Sequence, residues 1–228
     1  MPQPQLADPP LARRLTLALC AALLLAFGWG LYRYTAGFEV WTFEGQRQMR
    51  LAAGSLRAPA LALRSAQGAP VTLWQASGNR PAAYLVDFIY TRCPGVCRAL
   101  GSDYQQMQAQ LAAQRGASTA AHAVQLVSIS FDTAHDDAVS LLAYAREHRA
   151  DPALWTVAMP ASAADAAALL RSLDVIAIPD GLGGFVHNGA IHLLDGSGRL
   201  RGLYALEQWR EALDAAQALA TTPREAAQ

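Results

Sequence analysis

Two cysteines in the middle of the chain are the residues best suited to chemistry. Cys93 and Cys97 lie in the run YTRCPGVC, residues 90–97, directly after an apolar run typical of a buried strand. Pro94 suits the first position of a helix, so we expect Cys93 at or just before a helix start, with Cys97 one turn later on the same side. The positive end of the helix dipole and the two flanking arginines favour thiolate over thiol. The pair is therefore predisposed to bind a soft metal ion or to form a disulfide.

Two simpler interpretations of the pair stay open. Buried cysteines are common as small apolar side chains, and structural disulfides persist in oxidising compartments. The strand-to-helix placement with an intervening proline favours functional cysteines over merely buried ones. A structural disulfide one turn apart closes only a tiny loop, so it restricts the unfolded chain little. The third cysteine, Cys20, lies in a long apolar run and is most simply a membrane-embedded apolar residue.

One of the five histidines is a candidate to complete a site with the cysteines. His187 lies in GGFVHNG, residues 183–189, just before the predicted strand AIHLL. In a thioredoxin-like sheet, the loop that enters this strand lies beside the start of the cysteine-bearing helix. Two thiolates and one imidazole suit three-coordinate Cu(I), whereas zinc normally needs a fourth ligand, which we do not find. The remaining histidines are expected to be structural or solvated: His122, His135, His148 and His192.

Alternating strands and helices are predicted to position these residues. The apolar runs at 82–90 and 122–130 are typical of strands buried on both faces. Strand pairs are predicted at 61–63 with 71–73 and at 190–194 with 200–204, and helices after Pro94 and over 136–148, 163–173 and 207–219. The alternation indicates an α/β fold, a thioredoxin-like sandwich with a mixed central sheet.

The N-terminal part predicts a single transmembrane anchor. Residues 15–32 carry no charge, and a helix of this length measures about 27 Å, close to the hydrocarbon thickness of a bilayer. Two arginines before the span and one just after it place the N-terminus in the cytoplasm. A cleaved signal peptide is the alternative, but the apolar run is longer than a signal peptide needs and ends in aromatic residues. The predicted divisions are a cytoplasmic N-terminus (1–14), the anchor (15–34), a connector with a candidate short strand in FEVWTFEG (35–58), the α/β domain (59–220) and a tail (221–228).

Composition excludes several classes of protein. The 228 residues include 18 Lys+Arg and 18 Asp+Glu, a net charge of zero without a basic cluster, which argues against a nucleic-acid partner. Roughly 190 residues remain beyond the anchor, enough for one domain with a real core. Three cysteines are too few for a disulfide-rich scaffold.

Three stretches together resemble the Sco/SenC family of copper chaperones: YTRCPGVC, SISFDTAHDD at 128–137, and GFVHNGAIHLLDGSGRL at 184–200. The resemblance covers about residues 55–220 plus the anchor. It implies a thioredoxin-like protein in the inner membrane, with its soluble domain on the periplasmic side. It also implies a role in assembling the copper centre of cytochrome c oxidase, whose copper-bearing subunit would be the partner. Cys93, Cys97 and His187 match the family's copper ligands, for Cu(I) with Cu(II) as a second state.

Three residues depart from the family pattern without removing a ligand. Arg98 stands where a proline usually follows the second cysteine, and Val186 stands where an aspartate often precedes the histidine. Asn188 stands where a small or hydroxyl-bearing residue usually follows that histidine.

Four functions remain on the sequence alone. The first is a copper metallochaperone without catalytic residues. The second is an extracytoplasmic thiol–disulfide oxidoreductase, in which Cys93 and Cys97 form a redox-active disulfide. Its CxxxC spacing, and a histidine where thioredoxin-like redox enzymes carry a proline, count against it. A peroxiredoxin-like peroxidase and an inert anchored interaction domain are the other two.

Overall fold

The chain divides into two compact units, residues 1–49 and 50–228. The computed structural model describes residues 10–74, 81–93, 95–115, 121 and 123–222, except the side chains of 10 and 96–98. In the first unit, helix α1 spans Pro10–Tyr34. Its stretch Leu11–Tyr34 is the only described helix long and apolar enough to cross a membrane, with a mean hydropathy of 2.0 and none of its span buried in the protein.

The connector contains a helix where the sequence suggested a strand. Helix α2 spans Phe43–Ala52, so the expectation of a short strand in FEVWTFEG is wrong. The hydroxyl of Thr42 accepts a hydrogen bond from the N–H of Gly45 at 3.0 Å, which satisfies one of the free donors at the helix start. Glu44 in the first turn adds a favourable charge. Local capping thus outweighs the short alternation of apolar residues.

The second unit is built on a seven-stranded mixed sheet. Its strands are β1 (Leu63–Ser65), β2 (Pro70–Val71), β3 (Ala83–Ile89), β4 (Val124–Ser130), β5 (Trp155–Pro160), β8 (Ile191–Asp195) and β9 (Leu200–Tyr204). Their order in the sheet is β2-β1-β5-β4-β3-β8-β9. Strands β3, β4 and β5 are parallel, whereas β1, β2, β8 and β9 pair antiparallel with their neighbours. The sheet confirms the thioredoxin-like α/β fold.

Helices pack their apolar stripes against this sheet. Helix α3 spans Val96–Gln114 and buries Leu100, Tyr104, Met107 and Leu111, the stripe that the spacing by three and four predicted. The other helices are α4 (Ala138–Glu147), α5 (Ala163–Ser172) and α6 (Trp209–Thr221), the last preceded by a 3₁₀ turn at Leu206–Gln208. All three confirm predicted helices within a few residues.

A second, two-stranded sheet was not predicted. Strand β6 (Ala177–Pro179) pairs antiparallel with β7 (Phe185–His187), and this hairpin precedes β8. His187 therefore lies at the end of a strand rather than in the loop that the sequence suggested. The strands have only three residues each and are partly exposed, so they lack the apolar run by which the central strands were found.

One carboxyl group lies in the centre of the large sheet. Asp87 on β3 is fully buried, opposite Ser128 on the parallel neighbour β4. Burial raises the pKa of Asp87 to about 7, although the nearby hydroxyls of Ser128 and Tyr104 lower it in part. Neither carboxyl oxygen meets a hydrogen-bond donor at normal geometry in the described part of the chain. Asp87 is therefore protonated below neutral pH.

Asp87 should make the protein less stable as the pH rises. Because its pKa is 3.8 in the absence of burial and about 7 in the fold, the folded state binds more protons than the unfolded state across that window. Stability is therefore lost as the pH rises through the window, by about 4 kcal/mol in total. Asp87→Asn carries no such charge, so its unfolding free energy should fall less than that of the wild type between about pH 5 and about pH 8.

Denaturant unfolding of the full chain in detergent micelles measures this difference. Asp214→Asn, on an exposed position of α6, is the matched control and should keep the wild-type pH dependence. An Asp87→Asn variant with the same pH dependence as this control would contradict the assignment.

Candidate metal centre

Cys93 closes a tight turn at the carboxyl end of β3. Its backbone N–H donates to the carbonyl oxygen of Tyr90 at 3.1 Å, the bond between first and fourth residues that is typical of a β-turn. The side chain of Cys93 is partly buried and packs against the hydrophobic core. Helix α3 begins at Val96, so Cys93 precedes it by three residues and the backbone of Cys97 lies in its first turn. The pair lies between a strand and a helix as predicted, but the helix begins at Val96, two residues later than the predicted start at position 94. Pro94 and the Cys97 side chain lie outside the described residues.

His187 presents a buried ring nitrogen at the end of β7. Its ring is partly exposed, but Nδ1 is buried and makes no hydrogen bond to any described residue. Burial lowers the pKa of His187 below its ordinary value, which favours the neutral imidazole, the form that binds metal ions. A buried nitrogen without a partner is costly unless something binds it. The residue therefore fits the role of a metal ligand.

Tyr90 joins the cysteine turn to the histidine hairpin. Its carbonyl accepts the Cys93 N–H, and its hydroxyl accepts the N–H of Phe185 on β7 at 3.3 Å. The Tyr90 ring centroid lies 6.4 Å from that of His187 and 5.2 Å from that of Phe185, both edge to face. Phe131, which follows β4, completes the cluster at 5.7 Å from the His187 ring. The structure thus brings Cys93 and His187 to the same residue, although 94 positions separate them in sequence.

The loop after β4 holds the other side of the cysteine turn. Arg92 donates from Nη2 to Asp132 at 3.0 Å, and His135 Nδ1 lies 2.9 Å from the same carboxylate. Burial opposes ionisation of Asp132, yet these two partners hold its pKa below the ordinary value. The position of His135 in a polar turn is confirmed. The run SISFDTAHDD was used only as a family signature, so its hydrogen bonds to the turn went unpredicted.

Asn188, one of the departures from the family pattern, has a clear role next to the candidate ligand. Its Oδ1 accepts the N–H of Ile176 at 2.7 Å, and its Nδ2 donates to the carbonyl of Asp174 at 3.0 Å. The Asn188 side chain therefore fastens the base of the β6–β7 hairpin that carries His187. Val186, a second departure, is 68% exposed and points away from the core.

The other histidines are placed as expected where the structure describes them. His192 is buried in β8 and meets the ring of Phe88 edge to face, and His148 is buried at the end of α4. His122 lies outside the described residues. Among the side chains that the structure describes, no group of three His, Cys, Asp or Glu is close enough to hold a metal ion. The predicted set includes Cys97, whose side chain is not among them, so the three-ligand site stays a prediction.

The sequence model of the SCO1/SenC family matches residues 58–222. The fold is similar to that of a SCO1/SenC family lipoprotein from Bacillus anthracis, with a TM-score of 0.62 and 18% identity over 73% of this chain and 96% of that one. It is similar to BsSco, described as a member of the Sco family of cytochrome c oxidase assembly proteins, with a TM-score of 0.61 and 18% identity over 73% and 95%. Bradyrhizobium japonicum ScoI, solved with copper bound, has a TM-score of 0.56 and 21% identity over 72% and 99%. No protein of curated function matches the chain.

Tyr90→Phe should loosen the histidine hairpin without unfolding the domain. The variant keeps the ring contacts but removes the hydroxyl that accepts the Phe185 N–H, a loss of about 0.5–1.5 kcal/mol. Amide hydrogen exchange of residues 177–187 should therefore become about 2–10-fold faster. Tyr204→Phe, on the partly exposed edge strand β9, is the matched control and should leave the hairpin amides unchanged. Equal exchange in both variants would show that Tyr90 does not hold the hairpin.

Proposed function

The chain belongs to the SCO1/SenC family, and on that premise we propose that it is a membrane-anchored copper metallochaperone. Cys93, Cys97 and His187 would hold the copper ion that the protein carries as cargo. The proposed destination is the copper centre of cytochrome c oxidase, whose copper-bearing subunit would be the partner. The proposed location is the inner membrane, with α1 as the anchor and the α/β domain on the periplasmic side.

The observation that carries this proposal is the buried Nδ1 of His187, which has no hydrogen-bond partner among the described residues and lies next to the residue that anchors Cys93. Thiolate sulfur is a soft donor and imidazole suits copper, so the donor set matches Cu(I). The neutral imidazole needs no proton removed before it binds. Copper-bound Bradyrhizobium japonicum ScoI and the oxidase-assembly description of BsSco support the extension to this chain.

The protein's own residues would bind the ion and keep it out of bulk solvent. The Tyr90, Phe131 and Phe185 rings form an apolar wall beside His187, which lowers the local polarity around a ligand. A membrane tether would hold the site near a membrane-bound acceptor and raise its effective concentration. These features suit transfer between proteins rather than turnover of a substrate.

The full chain, purified in detergent under reducing conditions, should bind about one Cu(I) per molecule. Cys93→Ser and Cys97→Ser should each abolish tight binding, because an alcohol does not replace a thiolate as a soft ligand. His187→Ala should weaken binding at least about tenfold, because it removes one of three ligands. Competition with a chromophoric Cu(I) chelator measures each dissociation constant.

Two variants serve as matched controls for the copper measurement. Cys20→Ser removes the cysteine in α1, and His135→Ala removes an exposed imidazole that contacts the Asp132 carboxylate. Both should bind copper like the wild type. Unchanged affinity in His187→Ala would refute the proposed ligand set, and absence of Cu(I) binding by the wild type would refute the metallochaperone.

A thiol–disulfide oxidoreductase is the second candidate, and the disulfide switch described for BsSco favours testing it. In this role the cysteine pair would reduce the cysteines of the acceptor, either instead of delivering copper or before delivering it. We expect the reduced chain to exchange slowly with an oxidised protein dithiol, because Cys93 is only partly exposed. Gel-shift trapping of free thiols over time measures the exchange. Complete exchange within seconds, lost in Cys97→Ser, would favour the oxidoreductase.

A further inference from the structure

The loop that follows β4 forms hydrogen bonds with both central residues of the turn that ends at Cys93, here called the cysteine turn. The turn runs from Tyr90 to Cys93, with Thr91 and Arg92 in its middle. Arg92 is held by Asp132 through its exposed guanidinium, a contact that water and salt weaken. Thr91 is held by Asp136, whose side chain is only 5% exposed. The buried contact is therefore the stronger candidate for fixing the turn.

The buried carboxylate of Asp136 accepts two hydrogen bonds from the cysteine turn. Its Oδ2 accepts the backbone N–H of Thr91 at 2.9 Å, and its Oδ1 accepts the hydroxyl of the same residue. The hydroxyl of Ser130, the last residue of β4, donates to Oδ2 as well. The N–H of Asp136 itself donates to the carbonyl of Asp132 at 2.8 Å, which fixes the backbone from which the carboxylate projects. Hydrogen bonds to a buried carboxylate are about twice as strong as neutral ones.

Asp137, the next residue, is also an aspartate but makes a different hydrogen bond. Asp137 is exposed, and its Oδ1 accepts the N–H of Ser140 at 2.8 Å at the start of α4. Asp137 is therefore a helix cap, and Asp136 is the residue that reaches across 45 positions to the cysteine turn. Variants of the two residues can therefore distinguish loss of the contact with the cysteine turn from loss of support for the loop itself.

We propose that Asp136 is a positioning residue for Cys93: by holding both donors of Thr91, it fixes the turn that aims the sulfur before any metal arrives. The copper part of this inference rests on the proposed function, and the positioning part does not. Groups that orient a ligand from behind commonly change metal affinity by 10–100-fold when they are lost. An ordered turn also keeps the Cys93 sulfur partly covered in the metal-free chain.

The primary test compares Asp136→Asn with Asp137→Asn in the full chain in detergent micelles. Asparagine at position 136 keeps the size of the side chain but has only one acceptor oxygen. Three groups donate to the aspartate: the N–H and hydroxyl of Thr91 and the hydroxyl of Ser130. Asp136→Asn should weaken Cu(I) binding at least about tenfold, whereas Asp137→Asn should bind like the wild type, because asparagine is also a good helix cap. Thermal unfolding of both variants shows whether any change in affinity merely follows a loss of stability.

A second readout needs no metal. In a Cys20→Ala, Cys97→Ser background, only Cys93 can react with a maleimide, so its alkylation rate reports how far the turn opens. Asp136→Asn should raise this rate severalfold, and Asp137→Asn should not. If the wild type binds no copper, the metallochaperone fails while the alkylation rates still decide whether Asp136 positions the turn.

A milder pair of variants covers the case in which Asp136→Asn does not fold. Thr91→Val removes the hydroxyl donor and keeps the backbone N–H, so it should change both readouts in the same direction by a smaller factor. Thr133→Val, in the same loop, is its matched control. Alkylation rates and copper affinities equal to those of the controls, in Asp136→Asn or, if it is unfolded, in Thr91→Val, would overturn the proposal.

Discussion

The packing of Tyr90 between the cysteine turn and the histidine hairpin is the contact on which the candidate centre depends. Tyr90 lies at the end of the most buried strand of the sheet, and its ring packs against β7. The same residue accepts a hydrogen bond from Cys93 on one side and from Phe185 on the other. The cysteine turn and the β6–β7 hairpin, which are far apart in sequence, therefore both contact Tyr90. Tyr90 therefore helps to set the distance between Cys93 and His187 for any metal ion that binds both residues.

Hydrogen bonds from neighbouring elements support both halves of the candidate centre. Asp136 and Asp132 hold the turn before Cys93, and Asn188 fastens the hairpin that carries His187. Within the described part of the chain, the Nδ1 of His187 has no hydrogen-bond partner. Supporting groups of this kind suit the proposed site for a transferable soft ion, because little reorganisation would accompany binding or release.

Much of the scaffold was predictable from sequence because its signals are local. The mostly apolar runs of β3 and β4 and the apolar stripe of α3 can be read from the sequence directly, and they place the cysteine pair between a strand and a helix. The β6–β7 hairpin was not predictable, since its short, exposed strands carry no periodic pattern. The contacts of Asp136 and Tyr90 were not predictable either, because they join residues 45 and 95 positions apart. The helix in the connector was missed because a single cap at Thr42 decides it.

The most direct test of the account is X-ray absorption spectroscopy at the copper edge of the Cu(I)-loaded full chain. The account predicts two sulfur scatterers and one nitrogen scatterer around copper, and loss of the nitrogen in His187→Ala with both sulfurs retained. A first shell of sulfur alone in the wild type, or a spectrum that does not change when His187 is replaced, would contradict it.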